Sequence, residues 1–380
     1  MKTYLNQAAV LAQKSEETIE LIEQLCGIPA PSNHERKRAE FCRDWLTAHG
    51  AQGVIIDRAD NTLWPIGCED SDDIVVLMAH TDTVFPDTEP MDFARDDEWL
   101  YAPGVGDDTT CLAILMMTAR YIAGHGLTPK RGLLFAANAG EEGLGNLKGI
   151  RQIMADYGGR IKEVYTFDGG YGSLVNQCVG SHRYRVTAVT EGGHSFGAFG
   201  KPNAIRELSK LVCRLYDCEL PHDGDSRTTY NVGLISGGTS VNTIAQSAEM
   251  MYEYRSDSAA CLAAMQRFFE NEIARANGEG QAQFTVEVVG MRPCGGDVDE
   301  AVLAAMSERC IRVCEKHSGI PCTVGMGSTD CNIPMSMGVP AVCVGLYQGA
   351  GAHTREEKVR IASIPIGLKI AAELIAEYFE

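Results

Sequence analysis

The sequence predicts an α/β fold with a smaller α+β domain inserted into it. Near both ends of the chain, short and wholly apolar segments such as residues 74–79 alternate with helical patterns, which is typical of largely parallel sheets. Between residues 179 and 291, apolar and polar residues alternate instead, as in antiparallel strands with one solvated face. We therefore expect a first domain built from residues 1–178 and 292–380, with residues 179–291 inserted between them.

Turn residues and apolar periodicity place the elements of the first domain. A helix over residues 15–26 ends at Gly27. Ser32 with Glu35 forms a capping box, which opens a second helix that reaches about His49. The other predicted elements of this domain are core strands at 74–79, 131–138 and 163–167, a buried helix at 109–123, and, after Pro293, a helix at about 298–317, strands near 322–326 and 341–346, and a closing helix from about Pro365 to Phe379.

The inserted domain shows the alternation of a half-exposed sheet, beginning with a strand at residues 183–190. The next element is a helix over residues 203–216 whose apolar face carries Ile205, Leu208, Val212 and Leu215. The remaining elements are strands at 230–236, 246–254 and 283–289 and a helix at about 258–275. This β-α-β-β-α-β order is that of the ferredoxin-like split unit.

Composition and charge restrict the classes of partner. The chain has 380 residues with 33 basic and 51 acidic side chains, and a net charge of −18 argues against binding to nucleic acid. No apolar segment approaches the roughly 20 residues that a spanning helix needs, so we expect no membrane partner. Fourteen cysteines without a Cys-x-x-Cys pair, and without a visible export signal, indicate reduced thiols in a cytoplasmic protein.

Polar side chains that suit a metal site lie after the predicted core strands and in one glycine-rich turn. They are His80 with Asp82, Asp107 with Asp108, Glu141 with Glu142, Asp168, and His353. Open α/β sheets bind ligands where the carboxyl ends of their strands meet, so we expect these groups to converge in one crevice. Two imidazoles and several carboxylates form a donor set that suits a divalent cation, and zinc in particular.

An ordered set of motifs resembles the co-catalytic zinc peptidase family: His80-x-Asp82, Gly104-x-Gly-Asp107-Asp, Glu141-Glu142, Asp168-Gly-Gly and a late His353. The family includes peptidase T, carboxypeptidase G and succinyl-diaminopimelate desuccinylase, and the resemblance covers nearly the whole chain. It implies a mixed sheet sandwiched by helices, with the inserted domain as a lid and dimerisation domain. It also implies two zinc ions per subunit, with cobalt or manganese as alternatives, one held by His80, Asp107 and Asp168 and the other by Asp107, Glu142 and His353.

The resemblance gives two further residues of the first domain a role in catalysis. Glu141 would be the general base that takes a proton from the attacking water and passes it to the leaving amine. Asp82, two residues after His80, would accept the free imidazole N–H of that ligand and fix its tautomer.

Three residues of the inserted domain resemble family residues that meet the substrate. His194 resembles the histidine that reaches the active site of the other subunit and stabilises the oxyanion, which implies a homodimer formed through this domain. Arg255 resembles the arginine that clamps a substrate carboxylate, and Asn242 resembles an asparagine near the substrate. The chain departs from the family pattern at Thr109, where many members carry Lys or Asn, and at Glu253, which replaces the usual Asp two residues before the arginine.

The leading interpretation is a zinc-dependent exopeptidase for short peptides, an aminopeptidase or tripeptidase similar to peptidase T, because Asp168 stands where aminopeptidases of the family carry aspartate. An N-acyl-amino-acid amidohydrolase on the same scaffold is the alternative. From another class, the motif Gly-His-Ser-Phe-Gly fits a nucleophile elbow, and a serine hydrolase would use Ser195 with Asp330 and His353. A metal-binding dimer without catalysis is disfavoured because it would not need Glu141 as a base.

Overall fold

The computed structural model of the protein describes residues 8–379, which form two compact units. The main unit contains the chain up to Cys178 and again from Gly296, and the inserted unit is Val179–Gly295. Within the described residues, no helix has the length and apolar character needed to span a bilayer. All fourteen cysteines are free thiols.

Helices and strands are numbered along the chain. The first segment of the main unit contains α1 (Ser15–Cys26), α2 (Arg36–Ala48), β1 (Ile55–Ile56), β2 (Thr62–Ile66), β3 (Ile74–His80), β4 (Ala94–Arg95), β5 (Trp99–Tyr101), α3 (Cys111–His125), β6 (Gly132–Asn138), α4 (Lys148–Tyr157), β7 (Ile161–Phe167) and β8 (Ser173–Cys178). The inserted unit contains β9 (Gly180–Val189), β10 (Gly193–His194), α5 (Ala204–Tyr216), β11 (Thr228–Gly237), β12 (Thr243–Ile244), β13 (Ser247–Ser256), α6 (Ala259–Gly278) and β14 (Gln283–Arg292). The second segment of the main unit contains α7 (Glu300–Ser318), β15 (Thr323–Gly327), α8 (Asn332–Ser336), β16 (Ala341–Val344), β17 (Gly349–Ala350), β18 (Lys358–Arg360) and α9 (Ile364–Ala376).

Eight strands form the central sheet of the main unit, in the order β1-β2-β6-β3-β7-β16-β8-β15. Strands β6, β3, β7 and β16 run parallel to one another, whereas β1, β2 and β8 add antiparallel pairs. Side chains of β3 alternate between two apolar cores: Val75 and Leu77 pack in the core of α3 and α9, and Val76 packs in the core of α4. Helices therefore cover both faces, which confirms the predicted mixed α/β sandwich.

The start of helix α2 differs from the prediction. The helix begins at Arg36, and the hydroxyl of Ser32 donates to Oδ2 of Asp82 at 2.7 Å. Asp82 is wholly buried, so its carboxylate needs such donors, and the residue at the N-cap of α2 is Glu35, with no side-chain cap hydrogen bond. Glu35 is also buried and pairs with Lys148 at 2.7 Å. The predicted capping box is therefore wrong, and Ser32 belongs to the surroundings of Asp82.

The inserted unit is a four-stranded antiparallel sheet, β11-β13-β9-β14, that packs in one apolar core with α5 and α6. Its element order and strand order are those of the ferredoxin-like split unit. The apolar face of α5 differs from the prediction at one position, since Ile205 is 42% exposed and Leu211 is buried. Ile205 lies beside Gly237 at the end of the edge strand β11, where the sheet stops.

A small antiparallel sheet that the sequence analysis does not predict carries the late histidine. Its order is β17-β18-β5-β4, and His353 lies in the hairpin between β17 and β18. Asp107 lies in the turn that follows β5, and β5 pairs with β18. The pairing brings the histidine hairpin and the aspartate turn together. Strands of two or three residues are too short to show a period of two, which explains why the sequence pattern misses them.

Candidate metal centre

Three of the predicted groups stand at the ends of neighbouring parallel strands. His80 is the last residue of β3, the pair Glu141-Glu142 follows β6, and Asp168 follows β7. These strands adjoin in the order β6-β3-β7 and run parallel, so their carboxyl ends meet at one edge of the sheet. The buried apolar strands thus fix where these polar side chains stand.

Asp107 lies between two histidines. Its Oδ1 is 3.1 Å from Nε2 of His80, and its Oδ2 is 3.0 Å from Nε2 of His353. The same nitrogen of His353 is 3.1 Å from Oε1 of Glu142. Within residues 8–379, His80, Asp107 and Glu142 offer ligand atoms that all lie within 4.8 Å of one another. A carboxylate with one oxygen toward each of two donor groups is suited to bridge two cations.

The tautomer of His80 favours a cation beside Asp107. Nδ1 of His80 lies 3.0 Å from the main-chain oxygen of Asp82, which can only accept, so Nδ1 carries a hydrogen. A neutral His80 therefore directs the lone pair of Nε2 at a carboxylate oxygen of Asp107, and two acceptors at 3.1 Å repel each other. A proton on Nε2, or a metal ion bound by both groups, removes this repulsion.

The charged groups of the cluster shift one another's titration. Burial by itself would raise the pKa of Asp107, but hydrogen bonds from His353 and His80 hold that pKa well below its usual range. Hydrogen bonds to Asp107 and Glu142 raise the pKa of His353 to about 11. Burial, reinforced by the charge of Asp107, raises the pKa of Asp168 to about 7. Asp168 lies outside the compact group of three ligands but within electrostatic reach of it.

Asp82 positions the turn that carries both glutamates. Its Oδ1 accepts the main-chain N–H of Glu141 at 2.9 Å, and its Oδ2 accepts that of Glu142 at 3.0 Å in addition to the hydroxyl of Ser32. Nδ1 of His80 lies 3.0 Å from the main-chain oxygen of Asp82 and 3.5 Å from its nearest carboxylate oxygen. The main-chain oxygen, and not the predicted carboxylate, is therefore the nearer acceptor. Asp82 is a candidate from the sequence, but no sequence pattern indicates that it binds the main chain of the two glutamates.

Glu357, which the sequence analysis does not single out, holds the turn of Asp107. Its carboxylate accepts the main-chain N–H groups of Gly104, Gly106 and Asp107 at 2.7, 3.0 and 2.8 Å. The side chain is buried, and burial raises the pKa of Glu357 to about 7. Glu357 and Gly104 are 253 residues apart, so no local pattern in the sequence indicates their contact. From the sequence alone, an acidic residue in a hairpin is expected to be exposed to solvent.

The candidate residues His194 and Asn242 lie on paired turns of the inserted unit. His194 is exposed, and its Nδ1 accepts the main-chain N–H groups of Phe196 and Gly197, each at 3.3 Å. The neutral ring therefore carries its hydrogen on Nε2. Strand β10 pairs with β12, and the N–H of Ser195 donates to the main-chain oxygen of Asn242 at 2.9 Å. The side-chain oxygen of Asn242 accepts a hydrogen bond from the hydroxyl of Ser240 in the same loop at 2.7 Å.

Arg255, near the end of β13, is oriented by an acidic neighbour. Its Nε and Nη2 donate to the two carboxylate oxygens of Glu253, both at 3.1 Å. The same carboxylate accepts from Nε of Arg183 at 3.2 Å. The side chain of Arg255 is 37% exposed, so it is a fixed cation that solvent and ligands can reach.

A family model described as Peptidase family M20/M25/M40 matches residues 76–377. The chain belongs to this peptidase family. The resemblance inferred from the order of the motifs is thereby confirmed. M20 proteins are metallopeptidases and amidohydrolases, so the protein is an enzyme and a hydrolase.

Relatives within the M20 family match almost the whole chain. Succinyl-diaminopimelate desuccinylase of Corynebacterium glutamicum is 24% identical over 369 residues, which are 94% of this chain and 96% of that protein. The structure of aminopeptidase PepT from Bacillus cereus has a TM-score of 0.68 at 22% identity, covering 96% of this chain and 99% of that one. A tripeptidase structure from Staphylococcus aureus has a TM-score of 0.73 at 20% identity, covering 96% and 98%. At these identities the two structures establish the fold.

M20 proteins bind two metal ions, and the side chains at the edge of the sheet are suitable ligands for such a centre. They combine imidazole nitrogen with carboxylate oxygen, the donors that zinc-type sites use. Asp107 presents one oxygen toward each of two histidines, as a ligand common to two ions would, and a proton or a metal ion between Nε2 of His80 and Oδ1 of Asp107 removes the repulsion of two acceptors.

The M20 assignment replaces the serine-hydrolase alternative. A nucleophile elbow needs a helix directly after the serine, whereas turns and loop extend from Ser195 to the start of α5 at Ala204. His353, which would have to take the proton of the serine, directs Nε2 at Asp107 and Glu142 instead. The Gly-His-Ser-Phe-Gly motif is therefore a turn of the inserted unit.

Proposed function

We propose that the protein is a zinc-dependent exopeptidase that trims short peptides, as an aminopeptidase or tripeptidase. The observation that carries the proposal is the position of Asp107, whose carboxylate faces His80 on one side and His353 on the other. The shared fold with the PepT and tripeptidase structures supports it, and so does aspartate at position 168, as in aminopeptidases of the family.

In this proposal the site would take two zinc ions, or cobalt or manganese in their place. His80, Asp107 and Asp168 would hold one ion, and Asp107, Glu142 and His353 would hold the other, with Asp107 common to both. The ions, when bound, polarise the scissile carbonyl and acidify a water molecule. Glu141, on the turn that Asp82 holds, takes the proton of that water and delivers it to the leaving nitrogen.

The proposal includes a homodimer formed through the inserted unit. The edge strand β11 leaves Leu234 69% and Ile235 56% exposed, an apolar edge that a symmetry-related copy would cover. The hydrogen on Nε2 makes His194 a donor, which the stabilisation of an oxyanion in the other subunit requires. Arg255 binds the free carboxylate of the peptide, and Asn242 lies near the substrate.

One observation favours a second candidate function. The relative from C. glutamicum is a succinyl-diaminopimelate desuccinylase, and the two chains align over nearly their full lengths. An N-acyl-amino-acid amidohydrolase would use the same metal ligands and the same base, since both reactions hydrolyse an amide and release an amine.

A panel of substrates separates the two functions. Di-, tri- and tetrapeptides, N-acetyl and N-succinyl amino acids are incubated with the zinc-loaded protein, and mass spectrometry identifies the products; Glu141→Gln serves as the inactive control. Stepwise loss of the amino-terminal residue, abolished by phenanthroline, supports the exopeptidase. Release of acetate or succinate without peptide trimming overturns it in favour of the amidohydrolase. Activity that survives phenanthroline overturns both metal-dependent functions.

A further inference from the structure

We propose that Glu357 is a positioning residue of the metal centre: its carboxylate fixes the main chain of the Gly104–Asp107 turn and thereby sets where Asp107 presents its two oxygens. The inference rests on the proposed function only in taking Asp107 as the bridging ligand. It goes beyond that function by assigning a task to a side chain outside the ligand sets.

The turn is built around this carboxylate. Three main-chain donors of the turn point at it: Oε2 accepts from Gly104, and Oε1 accepts from Gly106 and Asp107. A Cβ added at Gly106 would lie 2.8 Å from Oε1 of Glu357 and 2.7 Å from the hydroxyl of Tyr347. The glycine is therefore required by the close approach of both Glu357 and Tyr347 to the backbone.

Glu357 also connects two of the segments that bear ligands. It lies four residues after His353 in the β17–β18 hairpin, and β18 pairs with β5, the strand that leads into the turn. Together with that strand pairing, the side chain of Glu357 keeps the hairpin of His353 and the turn of Asp107 in a fixed relation, in which the two ligand side chains meet at 3.0 Å. Loss of the carboxylate would leave three N–H groups, two of them buried, without their acceptor and free the turn to shift.

The acceptor arrangement predicts a graded response to substitution. An amide at position 357 can place its single oxygen where Oε1 accepts two N–H groups, but its NH₂ then faces the N–H of Gly104, so one bond is lost. Alanine loses all three. Glu356 provides a matched control, because it is an exposed carboxylate in the same hairpin, one residue away.

The test is cobalt binding to metal-free Glu357→Gln, Glu357→Ala and Glu356→Gln, measured by calorimetric titration and by visible absorption of the bound cobalt. Groups that support metal ligands typically contribute 10–100-fold to affinity. We expect about tenfold weaker binding for Glu357→Gln, a loss toward 100-fold for Glu357→Ala, an altered cobalt spectrum in both, and wild-type behaviour in Glu356→Gln.

Unchanged affinity and spectrum in the Glu357 variants would overturn the proposal, even if their melting temperatures fall, since a purely structural role lowers stability without changing the coordination of cobalt. If Glu357→Ala does not fold, Glu357→Gln decides alone. Failure of the proposed function has a different signature: wild-type protein that binds cobalt but cleaves no member of the substrate panel refutes the exopeptidase and leaves the comparison of the Glu357 variants intact.

Discussion

The main unit and the inserted unit hold their candidate functional residues in different ways. In the main unit, the side chain of His80 is 1% exposed, that of Asp107 17% and that of His353 56%, and all three meet partners on other segments of the chain. In the inserted unit, His194 is exposed and Arg255 is 37% exposed, and each is oriented by a residue two or three positions away. Groups that distant segments hold against one another are fixed before a ligand arrives, as metal ligation requires, whereas exposed groups oriented by near neighbours can meet a substrate or a second subunit.

The largest effect is expected in the main unit, at the base. Glu141→Gln should lower kcat by about 10²–10⁴-fold, because removal of a general base typically costs that much, while both metal ions stay bound. Steady-state kinetics and elemental analysis of the same preparation measure the two quantities.

Glu142→Gln is the matched control for that substitution. The two glutamates are adjacent and each is 6% exposed, and Oε1 of Glu142 lies 3.1 Å from Nε2 of His353. Glu142→Gln should therefore lose metal as well as activity. If metal is lost from Glu141→Gln and kept in Glu142→Gln, the two residues have exchanged roles.

The next prediction concerns His194→Ala in the inserted unit. Removing one donor to an oxyanion costs about 10²–10³-fold in rate, and we expect a fall in kcat of that size without loss of metal. Metal content and kcat, measured together, check this prediction. A fall in metal content would instead place His194 among the ligands.

Mixing two inactive variants tests whether His194 acts across a dimer. Subunits of Glu141→Ala and His194→Ala are exchanged, and a mixed dimer then contains one site with both groups intact. Random pairing makes half of the dimers mixed, so about a quarter of the sites should recover activity. A mixture that stays inactive while exchange is demonstrated would show that His194 does not act in trans.

Arg255→Ala should have a smaller and selective effect. A charge-assisted pair of hydrogen bonds contributes about 1.5–3 kcal/mol, so kcat/KM for peptides with a free carboxylate should fall roughly 10–150-fold, and amidated peptides should lose much less. Arg185→Ala is the control, since this arginine is also 37% exposed and is paired with Glu287 on the same sheet. Equal losses on free and amidated peptides would exclude a carboxylate clamp.

The same contrast separates what the sequence predicts from what it does not. The apolar run of β3 ends at His80, and such runs predict both the parallel sheet and the edge where polar groups gather. Alternation in β9 and β13 predicts the antiparallel sheet of the inserted unit in the same way. These patterns work because burial repeats with the period of the strand.

Contacts between distant residues that follow no regular spacing cannot be predicted from the sequence pattern. Glu357 accepts hydrogen bonds from a turn about 250 residues earlier in the chain. Asp82 accepts the main-chain N–H groups of Glu141 and Glu142, and a main-chain group is the same whatever the side chain, so the sequence does not indicate it. Ser32 with Glu35 shows the opposite error: the pair fits a local motif for a helix start, but the helix begins at Arg36 without a side-chain cap, and the hydroxyl of Ser32 donates to a buried carboxylate from a distant part of the chain. Local rules predict what the chain does when no stronger partner competes, and a crowded polar site supplies such partners.

The smallest predicted effect tests that last point directly. If Ser32 capped α2, Ser32→Ala would lower stability by about 1 kcal/mol whatever residue stood at position 82. Since its hydroxyl donates to Asp82 at 2.7 Å, the loss should instead appear in the site, as a fall of roughly fivefold in kcat/KM. A double-mutant cycle with Asp82→Asn decides between the two, because residues in contact couple and distant ones add. We expect Ser32→Ala to lower kcat/KM less in the Asp82→Asn background, because the hydroxyl there no longer faces a full negative charge. Additive losses would return Ser32 to the helix start and remove it from the group that holds the two glutamates in place.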